Sequence, residues 1–148
     1  MAQEQDPIDE ALDRFGREVV VAARDAGIWW FDQGLARAPR PTPDTAAPDV
    51  RATIADYNAL AALPPEVRQL TRRMVAQAVD NAMHELFMRL GDEARDGGAT
   101  LTINGIELLT SAVNEKSWPG LHGGLFTERG WYARFSKYGE RGDGPPVP

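Results

Sequence analysis

Apolar residues recur at steps of three and four along the first part of the chain, which predicts a long amphipathic helix. This helix spans about residues 7 to 34. Asp6 is placed to cap it, and Pro7 takes the first helical position, where a missing N–H costs nothing. Its predicted inner face consists of Ile8, Leu12, Phe15, Val19, Ala23, Ala26 and Trp30.

A proline-rich segment, residues 36–49, separates this helix from two more. Because proline disrupts both helix interiors and central strands, the segment is predicted to be an extended linker within one domain. A short helix follows over about residues 49 to 62, and a long third helix over about residues 65 to 93. The third helix is apolar in most directions near its end, which is typical of a buried, central element. Its predicted inner stripe is Val75, Val79, Ala82, Leu86 and Leu90.

Short alternating runs replace the helical spacing after about residue 100. Asn104-Gly105 lies between two of them and predicts a β-hairpin. A second hairpin is predicted from about Leu121 to Phe135, and in its second strand the residues facing one way are Trp131, Ala133 and Phe135. The predicted fold class is therefore α+β: three helices, two of them long, followed by a small antiparallel sheet of about four strands. Residues 1–138 form its single domain, and residues 139–148 are predicted to be a flexible tail.

Composition narrows the classes of function. A chain of 148 residues is about one domain long, and with no cysteine it can form neither disulfides nor thiolate metal sites. The acidic N-terminal residues do not have the pattern of a secretory signal, and no apolar run is long enough to cross a membrane. We therefore expect a cytoplasmic protein without membrane association. The net charge of −6 argues against a nucleic-acid binder. It would suit a basic protein partner, although acidity also serves solubility alone.

Candidate chemistry begins with "VDNAMHELF", which places Asp80 one helical turn before His84. A carboxylate that orients an imidazole can be half of a catalytic dyad or the outer part of a metal site. The alternative is that the two side chains only form a polar contact where this helix packs against the linker or the sheet. The zinc-protease pattern His-Glu-x-x-His fails here because Met88 takes the second histidine position. A zinc site would need His84, His122 and a carboxylate such as Asp80 or Glu128, and nothing in the spacing requires it. We therefore predict no catalytic residues, no metal and no cofactor.

A candidate binding surface lies in "SWPGLHGGLFTERGWYARFSKYGE", residues 117–140. Trp118 precedes the second predicted hairpin in an irregular segment, where a rigid aromatic residue can anchor a contact. Trp118 closing the end of the core is the competing interpretation. The candidate binding residues are Trp118, His122, Glu128 and Trp131, together with Asp80 and His84.

The Asp80 and His84 helix followed by this glycine-rich segment resembles a group of small uncharacterised bacterial proteins. In that group a similar helix precedes a Gly-Leu, Gly, Gly-Trp and Phe-Ser-Lys pattern, matched here at Gly120, Leu121, Gly123, Gly130, Trp131, Phe135, Ser136 and Lys137. Pro119 and Gly124 depart from it where acidic residues are expected. The resemblance implies a bacterial origin and an α+β layout, and it supplies no catalytic residues. In its small, acidic, cysteine-free character the chain is similar to immunity proteins that neutralise toxins.

The sequence therefore favours a non-enzymatic bacterial protein-binding module, of the immunity or regulatory type, over an enzyme. The alternative is a small hydrolase or ligand-binding enzyme that uses Asp80 and His84. A third reading is a homodimer that pairs through Trp29, Trp30 and Phe31.

Overall fold

The structure, a computed structural model, describes residues 6–110, 121–125 and 130–145. Helices dominate these residues. In chain order the elements are α1 (Pro7–Phe15), a π-helical turn (Gly16–Val21), α2 (Ala22–Ala36), α3 (Pro48–Ala61), α4 (Pro65–Arg95), β1 (Thr102–Ile103), β2 (Ile106–Glu107), a 3₁₀ helix (Leu121–Gly124) and α5 (Trp131–Phe135). The broad α+β class is confirmed, whereas the predicted three helices and four strands are not.

The first predicted helix is present as α1, the π-helical turn and α2 in series. Asp6 caps it as expected, since its side chain accepts a hydrogen bond of 2.9 Å from the backbone N–H of Ile8. The inner face follows the prediction only as far as Phe15. Beyond the π-helical turn the buried positions are Val20, Val21, Arg24, Ile28, Phe31 and Asp32, while Val19 is 47% exposed and Trp30 is 62% exposed.

The second and third predicted helices are α3 and α4, and their bounds agree with the sequence to within about two residues. α3 packs on α2, where Gly34 leaves room for Tyr57: a Cβ at position 34 would lie 2.2 Å from the phenol ring. α4 also packs along α2, but its predicted stripe is wrong at Ala82 and Leu86, which are exposed. The buried positions of α4 are Arg72, Ala76, Asp80 and Phe87.

The hairpin predicted at Asn104-Gly105 is confirmed. Both turn residues have positive φ, +50° at Asn104 and +79° at Gly105, as the tightest hairpin turns require. The two strands are antiparallel, with Thr102 opposite Glu107 and Ile103 opposite Ile106. They form a two-stranded sheet, and β2 contacts α1.

The second predicted hairpin, from Leu121 to Phe135, is wrong in the part that the structure describes. Its first portion is the 3₁₀ helix, and its second is α5 rather than a strand. The physical reason is that Trp131 and Tyr132 are consecutive and both buried, at 4% and 0% exposure. A strand points consecutive side chains to opposite faces, whereas a helical turn can bury both.

The main core forms where α1, the π-helical turn, α4, β2 and the C-terminal elements meet. Its buried members are Ala11, Leu12, Phe15, Val20, Val21, Phe87, Leu108, Leu121, Leu125, Trp131 and Tyr132. A smaller apolar cluster consists of Ile28, Ala76 and Tyr138, with Trp29 packed against it. In the described parts of the chain, no helix has the length and apolar content needed to span a membrane.

The linker and the C-terminal end both contact the helices. Asn58 of α3 accepts from the backbone N–H of Arg40 at 2.9 Å and donates to its carbonyl at 2.8 Å, which ties the proline-rich segment to α3. The predicted division at residue 138 and the flexibility of the tail stay predictions. Residues 139–145, however, lie against α2 and α4, and Gly142 among them is buried.

Candidate functional site

The structure describes four of the six predicted binding residues. Asp80 and His84 lie one turn apart on α4, His122 lies on the 3₁₀ helix and Trp131 begins α5. Trp118 and Glu128 lie outside the described residues, so the surface predicted around them stays a prediction.

The chain has two histidines, and the fold places them in contact. The ring centroids of His84 and His122 are 5.2 Å apart, and the ring planes cross at 84°. Both side chains are partly exposed. Burial lowers the pKa of His122 below its ordinary value of 6.5, and the neighbouring His84 lowers it further. The contact joins two elements that the sequence predicted as separate features.

Asp80 is bonded to Arg24 of α2, which the sequence analysis did not anticipate. Arg24 is 0% exposed, and it donates to both carboxylate oxygens of Asp80, at 2.5 Å from Nε and 3.1 Å from Nη2. The guanidinium also lies over the ring of Tyr132, 4.1 Å from the ring centroid. Burial raises the pKa of Tyr132 well above its ordinary value of 10.0, and the charge of Asp80 raises it further. Asp80 therefore belongs to a buried polar cluster between α2, α4 and α5.

The remaining donors of Arg24 bind the segment that follows α5. Nη1 donates to Ser136 Oγ at 3.0 Å and to the carbonyl of Gly139 at 3.0 Å, and Nη2 donates to the carbonyl of Glu140 at 2.8 Å. All five N–H groups of the guanidinium thus have an acceptor. Asp25, the next residue on α2, accepts from Ser136 Oγ at 2.6 Å and from the backbone N–H of Lys137 at 2.8 Å.

A second arginine binds the same segment one step further on. Arg72 of α4 donates to both oxygens of Asp32 on α2, at 2.7 and 3.0 Å, and to the carbonyl of Gly142 at 2.8 Å. Its guanidinium lies 5.2 Å from the ring centroid of Tyr138. In both clusters the acid and the base engage each other through two hydrogen bonds, an arrangement suited to fixing backbone rather than to transferring protons.

Trp131 occupies a core position. Its indole meets Phe15 edge-on at a centroid distance of 5.8 Å and Phe87 at 6.4 Å. It also covers Gly16, where an added Cβ would lie 2.3 Å from the indole ring. Trp131 thus joins α5 to the π-helical turn and to α4.

The most prominent exposed apolar surface lies on α4 and at its start. Leu63, Val67, Leu70 and Met74 are 44%, 40%, 49% and 64% exposed, and they follow one another at steps of four, three and four residues. At about 100° per residue, Val67, Leu70 and Met74 share one side of α4, opposite Arg72, Ala76 and Asp80, and Leu63 lies two residues before the helix begins. We call these four residues the outer α4 face. The sequence analysis missed it because it took α4 to be buried on most sides.

Within the described ranges, no group of three or more His, Asp and Glu side chains is arranged to hold a metal ion. The predicted absence of a metal and of a cofactor stays a prediction.

No family model, curated protein or solved structure matches this chain. The argument for a function therefore depends on the surfaces and side-chain clusters described above.

Proposed function

We propose that this protein is a non-enzymatic protein-binding module of the bacterial cytoplasm, of the regulatory or immunity type, and that its partner covers the outer α4 face. The observation that carries the proposal is the row of exposed apolar side chains at Leu63, Val67, Leu70 and Met74. Contiguous apolar surface on a folded domain is typical of a protein contact, whereas single exposed apolar residues are ordinary.

The spacing of the row favours a helical or groove-shaped partner. Anchors at steps of three and four along two to three turns are the pattern by which one helix packs against another protein. The opposite side of α4 carries Ala76 and Phe87 into the body of the domain. An apolar row on the outer side therefore does not serve the packing of this chain's described core.

Charge favours a basic partner. The net charge of −6 would speed the encounter with a positively charged protein and would disfavour acidic competitors. Immunity proteins and regulatory partners act by covering a surface of another protein, and this needs no catalytic residue. The resemblance to small bacterial proteins is part of this proposal.

The alternative, a small hydrolase or ligand-binding enzyme built on Asp80 and His84, has weaker support. Both oxygens of Asp80 accept hydrogen bonds from Arg24, and Asp80 is 6% exposed. A substrate that used this carboxylate would therefore have to compete with two hydrogen bonds from a buried arginine. The partly exposed His84 is the accessible member of the pair.

The test compares two variants of equal chemistry. Leu70→Glu places a charge within the outer α4 face, and Val50→Glu places one on α3 at a side chain of similar exposure, 44% against 49%. Each is used to capture partners from the native host, with stoichiometry measured by mass spectrometry. We expect a stoichiometric partner that wild type and Val50→Glu retain and that Leu70→Glu loses by at least about tenfold, because a buried unpaired charge opposes association.

Other results would redirect or reject the proposal. A partner that all three proteins retain, but that Trp118→Ala or Glu128→Ala loses, would move the binding surface to residues 117–140. Light scattering separates a hetero-complex from a homodimer, the form that Trp30 at 62% exposure could support. A strict monomer that captures no stoichiometric partner would reject the binding module.

A further inference from the structure

The histidine pair is the feature that the proposed function does not use. A chain of 148 residues with two histidines has brought both to one place, from α4 and from the 3₁₀ helix. The two rings meet edge to face, and both side chains are partly exposed.

The spacing of the rings fits a shared ion. A tetrahedral zinc ion binds an imidazole nitrogen at about 2.0–2.1 Å, which places the centre of each ring about 3.2 Å from the metal. Two rings at the tetrahedral angle then have centres about 5.2 Å apart. The observed separation between the centroids of His84 and His122 is 5.2 Å.

We propose that His84 and His122 form a two-imidazole binding site for a late first-row divalent cation, Zn²⁺, Ni²⁺ or Cu²⁺. Imidazole is a preferred ligand of these ions, whereas Mg²⁺ and Ca²⁺ prefer oxygen ligands. Water supplies the remaining coordination positions, in keeping with the partial exposure of both histidines. The site is independent of the outer α4 face, and it revises the sequence prediction that no metal is bound.

A further observation suits this role. The ring of His84 projects from a helix of 31 residues, and its neighbour Asp80 is fixed by Arg24. One ligand thus stands on a rigid element, which reduces the ordering that metal binding requires.

The experiment titrates the tag-free protein at pH 7 with Zn²⁺ by calorimetry, with Mg²⁺ as the hard-ion control. We expect one Zn²⁺ per chain and a rise in the thermal midpoint, since an ion that binds only the folded state stabilises it. His84→Gln and His122→Gln should each weaken binding by at least about tenfold, because even outer-shell changes at metal sites cost that much. Asp56→Asn, an exposed carboxylate on α3, should bind as wild type does.

A second measurement does not depend on how the variants fold. In the electron paramagnetic resonance spectrum of wild type with one equivalent of Cu²⁺, two equivalent nitrogen couplings are expected. A spectrum without nitrogen couplings, as oxygen ligands alone would give, would overturn the proposal. So would Zn²⁺ affinity that stays unchanged in both histidine variants, since the ion would then be held by the acidic surface.

Discussion

At the scale of single residues, the two buried arginines organise the polar interior. Arg24 and Arg72 each engage one aspartate of a neighbouring helix through two hydrogen bonds, and each also binds backbone carbonyls near the C-terminal end. Removing both partners of such a pair can be nearly neutral. Removing one is costly, because it leaves an uncompensated charge in the interior.

Asp80→Ala should accordingly lower the free energy of unfolding by about 3–5 kcal/mol, because it leaves the 0%-exposed Arg24 without its carboxylate. The double variant Arg24→Met with Asp80→Leu also loses the bonds of Arg24 to Gly139 and Glu140, so its loss should be smaller than the sum of the losses of the two single variants rather than zero. Urea denaturation followed by circular dichroism measures both.

The matched control is Glu18→Ala, which removes the carboxylate of an exposed pair with Arg14, where the side chains are 54% and 48% exposed. Its loss should be at most about 0.5 kcal/mol. Equal losses for Asp80→Ala and Glu18→Ala would contradict a stabilising role for the buried pair.

At the scale of elements, the π-helical turn decides which face of the first helix is buried. A π-helical turn contains one residue more than the α-helical spacing allows, so every later position is shifted along the inner face. The predicted positions Val19, Ala23 and Trp30 are replaced by their next neighbours, Val20, Arg24 and Phe31. The shift carries Arg24 inward and leaves Trp30 outside.

Gly16 tests how closely this turn packs. Its added Cβ would lie 2.3 Å from the indole of Trp131, so Gly16→Ala should force α5 outward and destabilise the fold by about 1–3 kcal/mol. Gly91→Ala on α4 is the matched control, because nothing lies within 4 Å of its added Cβ. That variant should gain about 0.5–1 kcal/mol from helix propensity. Thermal unfolding measures both, and a gain at both positions would contradict the close packing of Trp131.

Sequence patterns predicted the elements whose causes are local. The Asn104-Gly105 hairpin and the helix start at Asp6 depend on residues within one turn, and the structure confirms both. The π-helical turn packs against the indole of Trp131, which comes from the other end of the chain, and local spacing carries no information about such a contact. The prediction of the buried face assumed 3.6 residues per turn throughout the first helix. Because the π-helical turn inserts one residue, the buried positions after it were predicted wrongly.

In the candidate site, too, local relations were predicted and contacts between distant elements were not. Asp80 and His84 were recognised as neighbours because helical spacing relates them. The partner of each comes from a distant element: Arg24 for Asp80, and His122 for His84. α5 was mistaken for a strand because five residues are too few to separate alternation from a helical turn.

At the scale of the whole molecule, the segment after α5 joins the helical body together. Residues 139–142 supply three carbonyl acceptors to Arg24 and Arg72, and so connect α2 and α4 at their polar seam. Gly142 lies close to the small apolar cluster, since its added Cβ would be 2.6 Å from Ala76 and 3.2 Å from Ile28. Its φ of +65° is one that other residues rarely adopt.

A chain that ends at Tyr138 should therefore be less stable than one that ends at Pro145, although sequence alone predicted a flexible tail from residue 139. The shorter chain loses the acceptors at Gly139, Glu140 and Gly142, and hydrogen bonds to charged groups contribute about 1.5–3 kcal/mol each. Water will replace some of these hydrogen bonds, so we expect the free energy of unfolding in urea to fall by at least about 2 kcal/mol.

Gly142→Ala in the full chain should reproduce part of the loss through its positive φ and its contact with Ala76. Equal unfolding midpoints for the two truncated chains would show that the arginines are satisfied without this segment, and would restore the view of residues 139–148 as a tail.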